Sequence, residues 1–129
     1  MADEAKQKGN AAFSAGRFEE GIEHFTAGIS IAPENHVLYS NRSACYASLH
    51  RYDSALEDAE KVIELKSDWP KGYSRKAAAL QGLNRVDEAI ETFTAGLAVD
   101  PENEALKKGL EDVSRSGRRK TESYVKSSA

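Results

Sequence analysis

Apolar residues recur at spacings of three and four along most of the chain, and the whole pattern then returns twice more in phase. Laying residues 2–35, 36–69 and 70–103 over one another aligns Ile22, Leu56 and Ile90, then Ile31, Leu65 and Val99. Phe18, Tyr52 and Val86 share a further slot, each preceded by an arginine (Arg17, Arg51, Arg85). Small residues align as well: Gly9, Ser43 and Ala77, then Gly21, Ala55 and Ala89. Phe25 and Phe93 match across Ala59. Pro33-Glu34-Asn35 returns as Pro101-Glu102-Asn103, whereas the middle copy has Ser67 in place of proline. Each copy predicts two helices: 2–15 and 18–31, 36–49 and 52–65, 70–83 and 86–99. Pro33, Pro70 and Pro101 fall at boundaries, where a missing N–H costs little.

The predicted class is therefore all-α. A helix pair of this kind cannot bury its apolar stripe alone, and stacked pairs bury it against one another as a solenoid. Gly9, Gly21, Gly28 and Gly96 fall inside helices, where glycine costs about 1 kcal/mol relative to alanine. The recurrence of small residues on the period points to close helix approach as the compensation. The last copy would leave one face open. Residues 103–115 place Ala105, Leu106, Leu110 and Val113 at helical spacing behind Asn103, a good N-cap, and predict a seventh, capping helix. A repeat domain over 1–113 and a disordered basic tail or linker over 116–129 follow as the expected organisation.

The net charge of −3 conceals a division. Arg115, Arg118, Arg119, Lys120 and Lys126 against Glu122 give residues 114–129 a charge of +4, leaving −7 on residues 1–113. An acidic body argues against a broad nucleic-acid surface, so any anion site on it must be a local cluster of basic groups. Lys6 and Asn10 are four apart and share a helix face, as do Lys71 and Arg75. Asn41 and Arg75 occupy the same place in successive copies. A lone helical lysine is ordinarily a solvated side chain. Five such residues on equivalent helices in an acidic body instead suggest a pocket for paired carboxylates. Lys6, Lys71 and Arg75 would supply charge, and Asn10 and Asn41 amide donors. A C-terminal aspartate carries two carboxylates of this kind, and capture of a chain end is a known recognition mode.

The small, large, small, proline arrangement, in three copies of one length, resembles the tetratricopeptide repeat family over residues 2–103. The resemblance implies a right-handed superhelical solenoid of three helix pairs with a C-terminal capping helix. In it, the first helix of each pair lines a concave groove. Lys6-x-x-x-Asn10, Asn41 within Tyr39-Ser40-Asn41-Arg42-Ser43, and Lys71-x-x-x-Arg75 are similar to the carboxylate clamp of chaperone-binding members. That clamp grips the C-terminal Glu-Glu-Val-Asp tail of cytosolic heat-shock chaperones. The strings KQKGNAAF, NHVLYSNRSACYASL and KGYSRKAAAL most resemble the N-terminal repeat domain of the Hsp-organising, stress-inducible co-chaperones. This implies a co-chaperone adaptor that favours the 70-kDa chaperone tail over the 90-kDa one. It also implies a cytoplasmic location and a monomeric domain belonging to a longer chain. Phe13, Ala44 and Ala47 are expected to shape the groove beside Asn41. Ser48 stands where some relatives carry lysine, which removes a charge contact there.

Other signals change this picture little. His24, His36 and His50 lack partners at metal-ligand spacing and are expected on the surface or in packing. The single Cys45 is expected to pack as a small apolar residue. Glu19-Glu20 and Glu57-Asp58 are expected as helix-surface charges, not as a catalytic pair. No phosphate-binding glycine loop, cofactor motif or convergent catalytic set is present, so an enzyme is not expected. No apolar run approaches the roughly 20 residues of a membrane span. Asn41-Arg42-Ser43 matches a glycosylation sequon by chance, since it falls mid-helix. Arg118-Arg119-Lys120 would allow nuclear shuttling but fits a solvated linker better, and Tyr124 carries no distinguishing context. The alternative function is a scaffold whose groove takes a helix or internal segment with no free terminus.

Overall fold

The computed structural model describes residues 1–115, which form seven helices and no strand. The helices are α1 (Ala2–Ser14), α2 (Phe18–Ile31), α3 (His36–Ser48), α4 (Tyr52–Leu65), α5 (Pro70–Gly82), α6 (Val86–Val99) and α7 (104–115). The six repeat helices end within a residue of the ends that periodicity predicts. The basic tail, with Arg118-Arg119-Lys120 and Tyr124, lies outside the described residues.

Each hairpin closes by the same backbone device. Gly16, His50 and Asn84 hold equivalent places in the three copies, and all take left-handed φ values, +77°, +59° and +60°. Their N–H groups donate to the carbonyls of Phe13, Ala47 and Gln81, each at 3.0 Å. The following arginines, Arg17, Arg51 and Arg85, donate to the carbonyls of Ala12, Tyr46 and Leu80, each at 2.8 Å. These bonds satisfy the last carbonyls of α1, α3 and α5 and reverse the chain into the next helix. The loops between pairs are tied from the far side. Tyr39 Oη donates to the Pro33 carbonyl at 2.9 Å, and Tyr73 Oη to the Ser67 carbonyl at 2.8 Å.

Packing explains the small residues on the period. A Cβ at Gly9 would stand 2.5 Å from the Phe25 ring, and one at Gly96 would stand 2.8 Å from Tyr73 Cβ. Glycine's cost within a helix is thus exchanged for backbone-to-ring contact. One core cluster gathers Phe25, Leu38 and Cys45, all fully buried, and a second gathers Leu80, Phe93, Leu106 and Val113. Helix α7 closes the second cluster with Leu106 and Val113, and Asn103 caps it by accepting from the Leu106 N–H at 3.0 Å. Ala105, expected on the buried stripe, is exposed, because the face of α7 turned to α6 runs through Leu106, Gly109 and Val113.

The stack has two unlike walls. α1 meets α3, and α3 meets α5, whereas α2 does not reach α4 and α4 does not reach α6. The first helices therefore line the inside of the curve and the second helices splay over the outside. Charge divides the same way. α1, α3 and α5 carry six basic and two acidic residues, while α2, α4 and α6 carry eleven acidic residues against Lys61 alone. One of those acids corrects an expectation. Asp58 is no surface charge: it is 5% exposed and holds the Arg42 guanidinium across the α3–α4 interface. His36 packs edge-on to Trp69, and His50 stacks on Tyr52. No helix among the described residues is long and apolar enough to cross a membrane.

Candidate functional site

The inner wall brings most of the expected residues together. Asn10 from α1, Asn41 and Ala44 from α3, and Arg75 from α5 line one small cleft of about 50 Å³, with Phe13 at its side and Phe25 beneath. Asn41 Nδ2 donates to Asn10 Oδ1 at 3.0 Å, so two amides on neighbouring helices hold each other in place. Arg75 also borders a larger cavity of about 260 Å³, walled by Trp69, Lys71, Ser74, Asn103 and Leu106. One guanidinium therefore joins the amide cleft to the lysine-bearing cavity. Lys6 lies one helical turn before Asn10 on α1 and is half-buried. Of the remaining groove candidates, Ala47 packs against the core cluster and Ser48 is exposed.

Ion pairing sets these cations apart. Fourteen lysines and arginines occur in residues 1–115. Among the described residues, ten of them lie within 4.0 Å of a carboxylate, and Lys6, Lys71, Arg75 and Lys108 do not. Three of these four are on the inner wall, in a chain rich in acids. Arg75 is the most constrained. Burial holds its pKa below the ordinary arginine value, and the nearby Cys45 thiol only partly opposes the shift. Among the described residues its side chain makes one hydrogen bond, from Nε to Ser40 Oγ at 3.3 Å. A half-buried arginine with no carboxylate beside it among the described residues is a ready partner for an anion that comes from outside.

Ser40 is the residue that spacing did not single out. It holds the repeat position of Lys6 in the first copy and Ser74 in the third, and that equivalence was the available signal. Among the described residues no cluster of three His, Cys, Asp or Glu side chains could hold a metal ion.

The tetratricopeptide repeat model matches residues 7–35, 37–68 and 70–103. The chain belongs to the tetratricopeptide repeat family. This tetratricopeptide chain is 63% identical to the Hsp70-Hsp90 organizing protein of Triticum aestivum over 115 residues, 89% of the chain and 20% of that protein. The chain thus spans about a fifth of that relative's length. Two solved tetratricopeptide domains share the fold with bound peptides. The first such domain of Spaghetti, bound to the HSP90 peptide SRMEEVD, superposes with a TM-score of 0.84 at 31% identity, covering 89% of this chain and 91% of that one. The second domain of human RPAP3, in complex with the HSP70 peptide SGPTIEEVD, gives 0.83 at 29% identity, covering 88% and 94%. The same fold thus holds an HSP90 peptide in one of these proteins and an HSP70 peptide in the other.

Proposed function

We propose that this domain is a co-chaperone adaptor module that grips the free C-terminal Glu-Glu-Val-Asp end of a heat-shock chaperone, with the 70-kDa class favoured. Lys6, Asn10, Asn41, Lys71 and Arg75 form the clamp. The observation that carries this reading is that Lys6, Lys71 and Arg75, all on the inner wall of an acidic protein, pair with no carboxylate among the described residues. The cations attract the two carboxylates of the terminal aspartate, and the Asn10–Asn41 pair offers amide hydrogens without needing a counter-ion. Phe13 and Ala44 border the same cleft and supply apolar surface for the neighbouring valine. The acidic outer wall repels the same tail, so charge directs it to the inner one. The preference for the 70-kDa tail draws on the likeness to the organizing co-chaperones. A cytoplasmic location accompanies such a partner.

Calorimetric titration tests this reading directly. SGPTIEEVD and SRMEEVD, each as free acid and as C-terminal amide, are titrated into the chain. The free acids bind with Kd near micromolar, about −8 kcal/mol, the first more tightly than the second. The amides lose nearly all binding. Lys71→Ala or Asn41→Ala costs about 2–5 kcal/mol of binding while leaving the helical signal intact. Rising salt weakens binding, because partly exposed charges are screened. Equal affinity for acid and amide would turn the function toward a scaffold for internal segments.

A further inference from the structure

We infer that Ser40 is a positioning residue for the anion site, acting through Arg75; this rests on the clamp reading above. Ser40 and Asn41 are consecutive residues on the central inner helix, yet they serve opposite neighbours. Asn41 donates to Asn10 on α1, and Ser40 accepts from Arg75 on α5. Two adjacent side chains of α3 therefore set the geometry of both flanking helices' contributions to the cleft. Ser40 is fully buried and its backbone is fixed within α3, so its Oγ is a stationary acceptor.

Arg75 has particular need of such a partner. It is half-buried, faces no carboxylate among the described residues, and has a long side chain with several rotamers open to it. Anchoring Nε at Ser40 Oγ leaves the two terminal nitrogens, four N–H donors, for a ligand. The bond need not break when the ligand arrives, since the terminal nitrogens donate without releasing Nε. This is preorganisation: the ordering of the arginine is completed before binding. The repeat alignment agrees. The equivalent of Ser40 is Lys6 in the first copy; in the proposed clamp Lys6 meets the ligand directly, and the hydroxyl at this place supports it indirectly.

The test is a double-mutant cycle with free-acid SGPTIEEVD, read by calorimetry, on the full chain. Ser40→Ala should weaken binding about tenfold, the order expected for a hydrogen bond to a charged group. In an Arg75→Ala background, Ser40→Ala should cause no further loss. In an Arg75→Lys background it should also be silent, because lysine has no Nε–H in the fork. The nitrogen-15 resonance of Arg75 Nε–H should be slow to exchange in the parent chain and fast in Ser40→Ala. If Ser40→Ala lowers thermal stability too far, Ser40→Cys keeps the volume while replacing the acceptor by a weaker one, and should show the same silence with Arg75→Ala. Full additivity of the two losses, or unchanged binding in Ser40→Ala beside a clear loss in Arg75→Ala, overturns the role of Ser40 alone. No loss in Arg75→Ala itself overturns the clamp.

Discussion

The guanidinium of Arg42 meets the carboxylate of Asp58 side-on, Nε donating to Oδ2 at 2.8 Å and Nη2 to Oδ1 at 2.7 Å. Nη1 reaches Thr26 Oγ1 at 3.1 Å, and the Tyr39 and Tyr46 rings lie 5.7 Å and 5.9 Å from the guanidinium carbon. One side chain thus joins α2, α3 and α4. Successive helix residues are about 100° apart, so Arg42 turns to α4 while Asn41 and Ser40 turn to α1 and α5. The brace to α4 fixes the roll of the helix that presents Ser40 and Asn41.

Breaking this pair should destabilise the fold. The two side chains are 18% and 7% exposed, so removing one leaves a largely buried charge without a partner. Asp58→Ala should cost about 3 kcal/mol of unfolding free energy in urea. Replacing both residues with leucine should recover most of that, since no charge is then stranded. A loss under about 1 kcal/mol for Asp58→Ala would mean the pair is screened like a surface bridge.

The helices were legible because spacing and punctuation agreed in three copies. Asp58 was not. It follows Glu57 on an acidic helix, and its partner Arg42 belongs to the preceding helix, far beyond any rule of three- or four-residue spacing. Ser40 was hidden similarly, since a serine beside Asn41 reports nothing until α5 brings Arg75 within reach. The five clamp candidates were nameable because polar residues on equivalent inner helices share a face. What spacing could not say is that Arg75 stands between two cavities, or that Ala47 turns toward the core. Those depend on how the helices roll against one another.

The repeated left-handed turn residue yields two predictions of opposite sign. His50 holds φ +59°, a conformation that a side chain makes unfavourable by roughly 1–2 kcal/mol. His50→Gly removes that strain but also the stack on Tyr52 and some unfolded-state restriction. Unfolding free energy should rise by about 0.5 kcal/mol. Gly16→Ala should lower it by about 1 kcal/mol, although its Cβ would meet nothing within 4 Å. Thermal melts of the two variants decide it, and matching shifts in one direction would discount the turn.

Cys45 links pH to stability. Burial pushes its thiol from 9.0 up to about 11, with Arg75 partly opposing. The folded chain therefore keeps a proton that the unfolded chain releases first. Stability from this source is complete below about pH 9 and falls as pH rises toward about 11. Cys45→Ala should flatten the decline over that window in urea melts. Iodoacetamide at about pH 8 should leave the native thiol unmodified for as long as the chain stays folded, and label it in urea.

The capping helix should behave as part of the core. Leu106 is 1% exposed, packs beside Gly96 and belongs to the cluster of Leu80 and Phe93. Leu106→Ala removes those contacts and opens a cavity between α6 and α7. The expected cost is about 3 kcal/mol. Asn103→Ala, which unties the Leu106 N–H, should cost about 1 kcal/mol. Ala105→Ser, on the exposed face of the same helix, should stay within about 0.5 kcal/mol of the parent. Urea melts rank the three. If Leu106→Ala proves as mild as Ala105→Ser, α7 is dispensable, and the open face of α5 and α6 must be stable without it.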